Sequence, residues 1–297
     1  MTHGRAVSLM VLVTLLWSTA GVASRHLEAA QSFEVTFWRS AFNGLGLVAA
    51  LSLMRGAALW RGLRHAGWPV WVSGGCWAVM FTAFMLGLTL TRVANVLVTM
   101  ALGPLITALF ARFFLHHKLP ARTWIAIAVA GAGIAWMFGH EVQAADARSL
   151  LGMLVALAVP VAAALNFTVL QHISHGSSGE TPATQDMLPA VLVGALLSAA
   201  VTLPLAWPLH TSSHDLGILA GLGVLQLAVP CLLVVRLTRE LPAPEIALLG
   251  LLEVIFGVLW AWLGAGEAPG PTALTGGVLV LGALIGNELL ALRSSRR

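Results

Sequence analysis

The chain reads as an all-α polytopic membrane protein of ten transmembrane helices arranged as two inverted five-helix repeats. Three observations predict this. Ten apolar runs reach spanning length, and they fall into two groups of five. Only 9% of the 297 residues are charged against 58% hydrophobic, with a mean hydropathy of +0.89. A helix rising ~1.5 Å per residue needs ~20 apolar residues to cross a bilayer. A soluble chain with so few charges has no means of covering its surface.

The runs lie near residues 7–24, 33–54, 68–90, 93–115, 121–138, 149–171, 186–207, 214–235, 242–264 and 270–292. The first is long for a signal-peptide core and nine more follow, so it is read as a span rather than a cleaved leader. The second carries Arg39, with Asn43 four residues on and on the same face. The third carries Trp77, Phe81 and Phe84 along one helical face. The fourth holds Asn95 and Pro104, the sixth Pro160 and Asn166, the eighth Gln226 and Pro230, and the ninth Glu253. Cys76 and Cys231 lie within spans as small apolar packers, not as a disulfide or metal pair. The Asn166-Phe167-Thr168 sequon is inside the sixth span and is no glycosylation acceptor. The pair His116-His117 is poor metal geometry, and no other His or Cys clusters with it.

The net charge of +4 invites a nucleic-acid reading, which the placement of the cations rejects. With the N-terminus inside, eleven of 16 Lys and Arg fall on inner segments: Arg5, Arg55, Arg61, Arg64, Lys118, Arg122, Arg236, Arg239, Arg293, Arg296 and Arg297. Only Arg25, Arg92 and Arg148 fall outside, and Arg39 and Arg112 lie within spans. This positive-inside bias predicts cytoplasmic termini. Trp60, Trp68, Trp71, Trp124 and Trp207 sit at span ends as aromatic belts do, whereas Trp17 and Trp77 are central.

Shifting the chain by 149 residues superposes Ala94 on Ala243, Leu102 on Leu251, Pro120 on Pro269, Thr123 on Thr272 and Gly133 on Gly282. Five is odd, so a second copy enters from the opposite face, as in secondary transporters with inverted repeats and a site between the halves. The first repeat is read as 1–138, the second as 149–297, with a polar periplasmic linker at 139–148.

Several motifs carry a family resemblance over essentially the whole chain. Leu16-Trp17-Ser18-Thr19 resembles the Leu-Trp-Ser/Gly signature of the drug/metabolite transporter superfamily, ten-helix EamA type. Leu251-Leu252-Glu253-Val254 is similar to its Leu-Glu-Pro-Val, with Val254 in place of proline. Gly266-Glu267, Gly276-Gly277 and Gly282 fit the end of its second repeat. Gly103-Pro104-Leu105 fits the first, where His117-Lys118-Leu119 replaces the usual Glu-Lys-Leu. The Leu-Trp-Ser-Thr form further resembles the YddG-type amino-acid exporter branch. The resemblance implies a bacterial inner-membrane transporter with no cofactor.

Ionisable and amide groups at depth are candidate site residues, since a charge at a helix centre costs at least ~2.5 kcal/mol. Glu253 suits a proton or a substrate amine, or ties helices together through a neighbour such as Gln226. Arg39 suits a structural pairing or a substrate carboxylate. Asn43, Asn95, Asn166 and Gln226 either tie helices or line a wet cavity. Trp17, Trp77 and Phe81 suit an aromatic wall, and core packing explains them equally; Ser18 enters with the signature. Met80, Met85 and Met100 suit adaptable lining. Pro104, Pro160 and Pro230 are expected to kink their helices and serve as hinges.

No nucleophile–base set, HExxH, GxSxG or P-loop occurs, which argues against an enzyme. Filter loops and charged rings are missing, which argues against a channel. One buried cation is too few for a phosphate-bearing substrate. The expectation is a secondary transporter exporting amino acids, including aromatic and other apolar ones, and acting as a monomer. An exporter of cationic drugs or quaternary ammonium compounds is the alternative, and an intramembrane enzyme a more remote one. Single-cysteine labelling should find residue 143 outside and residue 63 inside; the reverse pattern would overturn the span count or the orientation.

Overall fold

A computed structural model describes residues 1–24, 26–30, 32–91, 96, 99–116, 118–142, 147–175, 186–265 and 270–295. Among these residues every regular element is helical: α1 (His3–Trp17), α2 (Thr19–Ser24), α3 (Ser32–Arg55), α4 (Ala57–Arg64), α5 (Trp68–Leu90), α6 (Gly103–Phe114), α7 (Ala121–Val142), α8 (Ala147–His175), α9 (Leu188–Ala206), α10 (Ser213–Gly221), a π-helical segment (Leu222–Ala228), α11 (Val229–Leu237), α12 (Ala243–Gly250), α13 (Leu252–Ala265) and α14 (Pro271–Ser295). Six helical stretches are long and apolar enough to cross a membrane, and a seventh qualifies if α3 and α4 count as one bent span. Gly103–Phe114, Ala121–Met137 and Leu274–Asn287, within the fourth, fifth and tenth runs, are shorter.

The helices pair so that exchanging the two halves reproduces the pattern. The third run packs on the sixth (α5 on α8), and the eighth on the first (α11 on α1). The second meets the eighth (α3 on the π segment), as the seventh meets the third (α9 on α5). The fourth meets the sixth (α6 on α8), as the ninth meets the first (α12 and α13 on α1). Three pairs map onto themselves: α3 with α9, α6 with α12, and α7 with α14. A two-fold relation between the halves produces this arrangement. Small residues let the crossings close. A Cβ added at Gly133 would lie 2.9 Å from the Gly276 carbonyl, and one at Gly74 2.6 Å from the Val193 side chain.

The runs are less uniform than their hydropathy suggests. The first divides at Ser18, where the Ser18 and Thr19 hydroxyls donate back to the Leu15 and Leu16 carbonyls, each at 2.7 Å. Such local bonds compete with helix continuation. The ninth divides at Leu251. After α3 the chain turns by 107° into α4, through Gly56 at φ 55°, a left-handed conformation glycine adopts without penalty. Helix also invades the expected linker, since α7 runs to Val142 and α8 begins at Ala147.

The prolines depart from expectation too. Pro160 does lie inside α8. Pro104 falls in the first turn of α6, where a missing N–H leaves no intrahelical bond unmade. It marks a helix start inside an apolar run rather than a kink within one helix, whereas Pro230 lies inside the continuous helical stretch Ser213–Leu237. Upstream of Pro230 the backbone widens: the Val229 N–H bonds the Val224 carbonyl five residues back. Pro230 has no N–H to give the Gln226 carbonyl, so the ordinary spacing cannot continue there.

Two carboxylates lock the entries of the second and eighth runs to each other. Glu34, in the first turn of α3, is 2% exposed, and its Oε1 accepts from the His210 and Thr211 N–H groups at 2.7 Å and from the Thr211 hydroxyl. Asp215 reciprocates across the same join. It accepts from the N–H groups of Glu28, Ala29 and Ala30 at 3.0, 2.8 and 2.9 Å, while its own N–H is capped by Ser212. Three backbone donors converge on one side chain, so Asp215→Ala leaves them unpaired and Asp215→Asn serves only some of them. Melting of the purified protein is expected to fall furthest for Ala and less for Asn; equal melting of both with the parent would remove the lock.

Candidate functional site

A cavity of about 170 Å³ opens among seven of the ten runs. Each wall follows from helical spacing. On α5, Trp77, Met80, Phe81 and Phe84 recur at i, i+3, i+4 and i+7 and so face one way. Trp77 and Phe81 lie with ring centroids 5.6 Å apart. On α8, Val159, Pro160, Ala163 and Phe167 face inward, and on the fourth run Met100, Gly103, Pro104 and Thr107 do. Met10 and Trp17 come from α1, and Ile246, Ala247, Gly250, Leu251, Glu253 and Val254 from the ninth run. Gln226, Leu227 and Cys231 close the wall from the eighth, and Arg39 alone reaches in from α3.

Three polar side chains besides Thr107 interrupt this apolar shell. Arg39 is 5% exposed; its Nε and Nη2 donate to Gln226 Oε1 at 3.2 and 2.8 Å. Gln226 Nε2 donates to the Trp17 carbonyl at 3.0 Å. The sequence places Gln226 there through Gly223. A Cβ at 223 would lie 2.6 Å from Phe42 Cβ and 2.7 Å from the Arg39 carbonyl, so only glycine lets the π segment come this close to α3. The third polar group, Glu253, is half-buried in the first turn of α13, just beyond the break at Leu251. A helix N-terminus stabilises a carboxylate. Among the described residues no ion pair joins Glu253 to Arg39, though both line the cavity.

The site residues expected from the sequence divide into three groups. Trp17, Trp77, Phe81, Gln226 and Glu253 line the cavity together, as do Pro104 and Pro160. Ser18, Asn43, Asn166 and Pro230 are not part of its lining. Ser18 Oγ accepts from Trp260 Nε1 at 3.0 Å and so holds the helix break. Asn166 Oδ1 accepts from the Ser73 hydroxyl at 2.5 Å, tying α8 to α5. Asn43 is fully buried one turn beyond Arg39, and neither amide atom has a partner. Asn95 lies outside the described residues.

Two features go beyond the sequence reading, which left Arg39 open between a structural pairing and a substrate carboxylate. Arg39 belongs to the cavity, with Gln226 rather than Asn43 as its partner. The signal was its isolation, since a buried cation must find an acceptor somewhere. The second feature is a pair of unmet polar groups at the cavity wall. Trp77 Nε1 and Thr107 Oγ1 are buried without partners. Each unmet group costs on the order of 1–3 kcal/mol.

The chain belongs to the EamA-like transporter family, whose model matches twice, over residues 4–139 and 150–287. It is thereby a multi-pass membrane transporter of the drug/metabolite type. The fold is shared with a solved structure titled only as the crystal structure of a protein. The TM-score is 0.78 and the identity 20%, over 98% of this chain and 99% of that one. At that identity the likeness speaks of fold alone. No curated protein matches the chain.

The geometry separates two variants that the sequence grouped together. Trp17→Ala, which strips a cavity wall, is expected to weaken transport with little change in melting. Asn166→Ala, which removes an interhelical bond, is expected to cost ~0.6–1.7 kcal/mol of stability with little change in substrate affinity. Vesicle transport and thermal melting of both proteins check this, and the reverse assignment would move the cavity.

Proposed function

We propose that the protein is a secondary transporter that exports amino acids, including aromatic and other apolar ones, by alternating access. One observation carries the reading: a guanidinium and a carboxylate line a single cavity whose other walls are aromatic, methionine and aliphatic. A zwitterion with an apolar side chain complements all three features. Its carboxylate suits Arg39, its ammonium suits Glu253, and its side chain suits Trp17, Trp77, Phe81 and Met80. In surroundings of low dielectric an unmatched charge is expensive, so a ligand carrying both signs is favoured over one carrying either. Export of cationic drugs is the second reading, supported by Glu253 among tryptophans. Arg39 in the same cavity counts against it by repelling a lone cation.

The proposal includes ten spans in a bacterial cytoplasmic membrane, both termini inside, with a repeat boundary at 139–148. A monomer suffices, because one chain supplies every wall. The YddG-like motif in the first run supports amino acids and the outward direction, with Asn95 on the fourth run as a further binding group. Breaks at Ser18 and Leu251 and the π segment before Pro230 adjoin the cavity lining and suit helices that bend between inward- and outward-open states.

Uptake into proteoliposomes tests this with amino acids and cationic dyes, with and without a pH gradient. Expected are saturable uptake of apolar amino acids and little uptake of dyes. Uptake of dyes alone would establish the second reading. If Glu253 couples transport to protons, Glu253→Gln retains exchange of substrate and loses the response to the gradient. Gradient-dependent transport in that variant removes Glu253 from coupling.

A further inference from the structure

Gln226 sits on Arg39 where an anionic ligand would sit. The guanidinium offers its side-on edge, the Nε and Nη2 donors, to the single oxygen Gln226 Oε1. Those two parallel N–H groups match the two oxygens of a carboxylate. A shared amide oxygen gives them one neutral acceptor in place of two that are charged. The pairing is therefore the weaker of the two this edge can make, since bonds to an ionised acceptor are roughly twice as strong.

The other end of the same amide reaches the backbone. Gln226 Nε2 donates to the carbonyl of Trp17, the last residue of α1, immediately before the break at Ser18. Gln226 itself lies in the π segment, one turn before Pro230, where the backbone spacing is already altered. One side chain thus joins the buried cation of the second run to the helix break of the first. Both partners line the cavity, so a ligand has access to the joint.

We infer that Gln226 holds the place of a ligand carboxylate on Arg39, and that an arriving carboxylate displaces it and loosens its hold on the break at Ser18. The amino-acid identity of the ligand rests on the proposed function; the exchange of acceptors on Arg39 needs only a carboxylate. A zwitterion supplies both parts of the exchange, a carboxylate for the guanidinium and an ammonium donor for the freed amide oxygen. Gln226 is in this account a positioning residue that links occupancy of the cavity to the geometry of the first run.

The test measures binding to the full-length protein in lipid nanodiscs with three probes: phenylalanine, 3-phenylpropionate, which lacks the ammonium, and phenethylamine, which lacks the carboxylate. Gln226→Glu keeps the shape and gives Arg39 a charged internal partner. It is expected to weaken both carboxylate probes by about tenfold or more and to spare phenethylamine. Gln226→Leu, which vacates the edge, is expected to bind both carboxylates at least as well as the parent. In the parent protein, the carboxylate probes are expected to raise hydrogen exchange across residues 18–23, and phenethylamine is not. A Glu variant that changes all three affinities alike, or none, overturns the inference, as does unchanged exchange at 18–23. Parent protein that binds 3-phenylpropionate but not phenylalanine leaves the inference standing and removes the amino-acid reading. Binding of neither carboxylate overturns both.

Discussion

A buried guanidinium sets the terms for the interior of this protein. Arg39 lies where the surroundings are apolar and the alternative to a partner is several kcal/mol of lost solvation. Its partner comes from another helix, while Asn43, one turn on along its own helix, has both amide atoms unpaired. Gln226 is that partner, and it reaches Arg39 only because Gly223 lets two backbones approach to a separation that any Cβ would prevent. The position of the eighth run against the second follows from this contact, and the Trp17 carbonyl is held by the same amide.

The cavity is built where helices are interrupted. Continuous helices present only side chains, because their backbone groups are satisfied internally. The breaks at Ser18 and Leu251, the π segment before Pro230 and the turn before Pro104 each change that locally. The turn before Pro104 and the break at Leu251 lie on runs that the exchange of halves pairs, the fourth and the ninth, and the first run packs on both the eighth and the ninth. Irregular backbone is therefore gathered between the repeats instead of being spread through the spans. The Glu253 carboxylate benefits directly, standing in the first turn of a helix that begins inside the apolar run.

Rigidity is distributed in the opposite sense. The reciprocal bonds of Glu34 and Asp215 fasten the entries of the second and eighth runs with backbone donors, whose positions vary little. At the far end of the second run, an ion pair between Arg55 and Asp186 is partly solvated and correspondingly weaker. The α3–eighth-run pair is thus held firmly at one end and at its middle.

Hydropathy and residue type determined a great deal of this by themselves. Apolar runs in two groups of five specify helices and their membrane setting, because nothing else satisfies a backbone in lipid. Trp77, Phe81 and Phe84 share one helical face, which the sequence leaves equally open to a cavity wall or to core packing, and an acid at 253 specifies a polar point within an apolar helix. The tertiary structure alone decided which polar groups meet. Trp17 and Asn166 are equivalent by repeat position, yet one faces the cavity and the other a neighbouring hydroxyl. Arg39 and Gln226 are 187 positions apart, and Glu34 is 176 and 177 positions from its backbone donors. Local sequence encodes the period of a helix and the cost of burying a charge. Which distant acceptor meets that cost depends on how closely two helices can approach, and that was settled by a missing Cβ at Gly223.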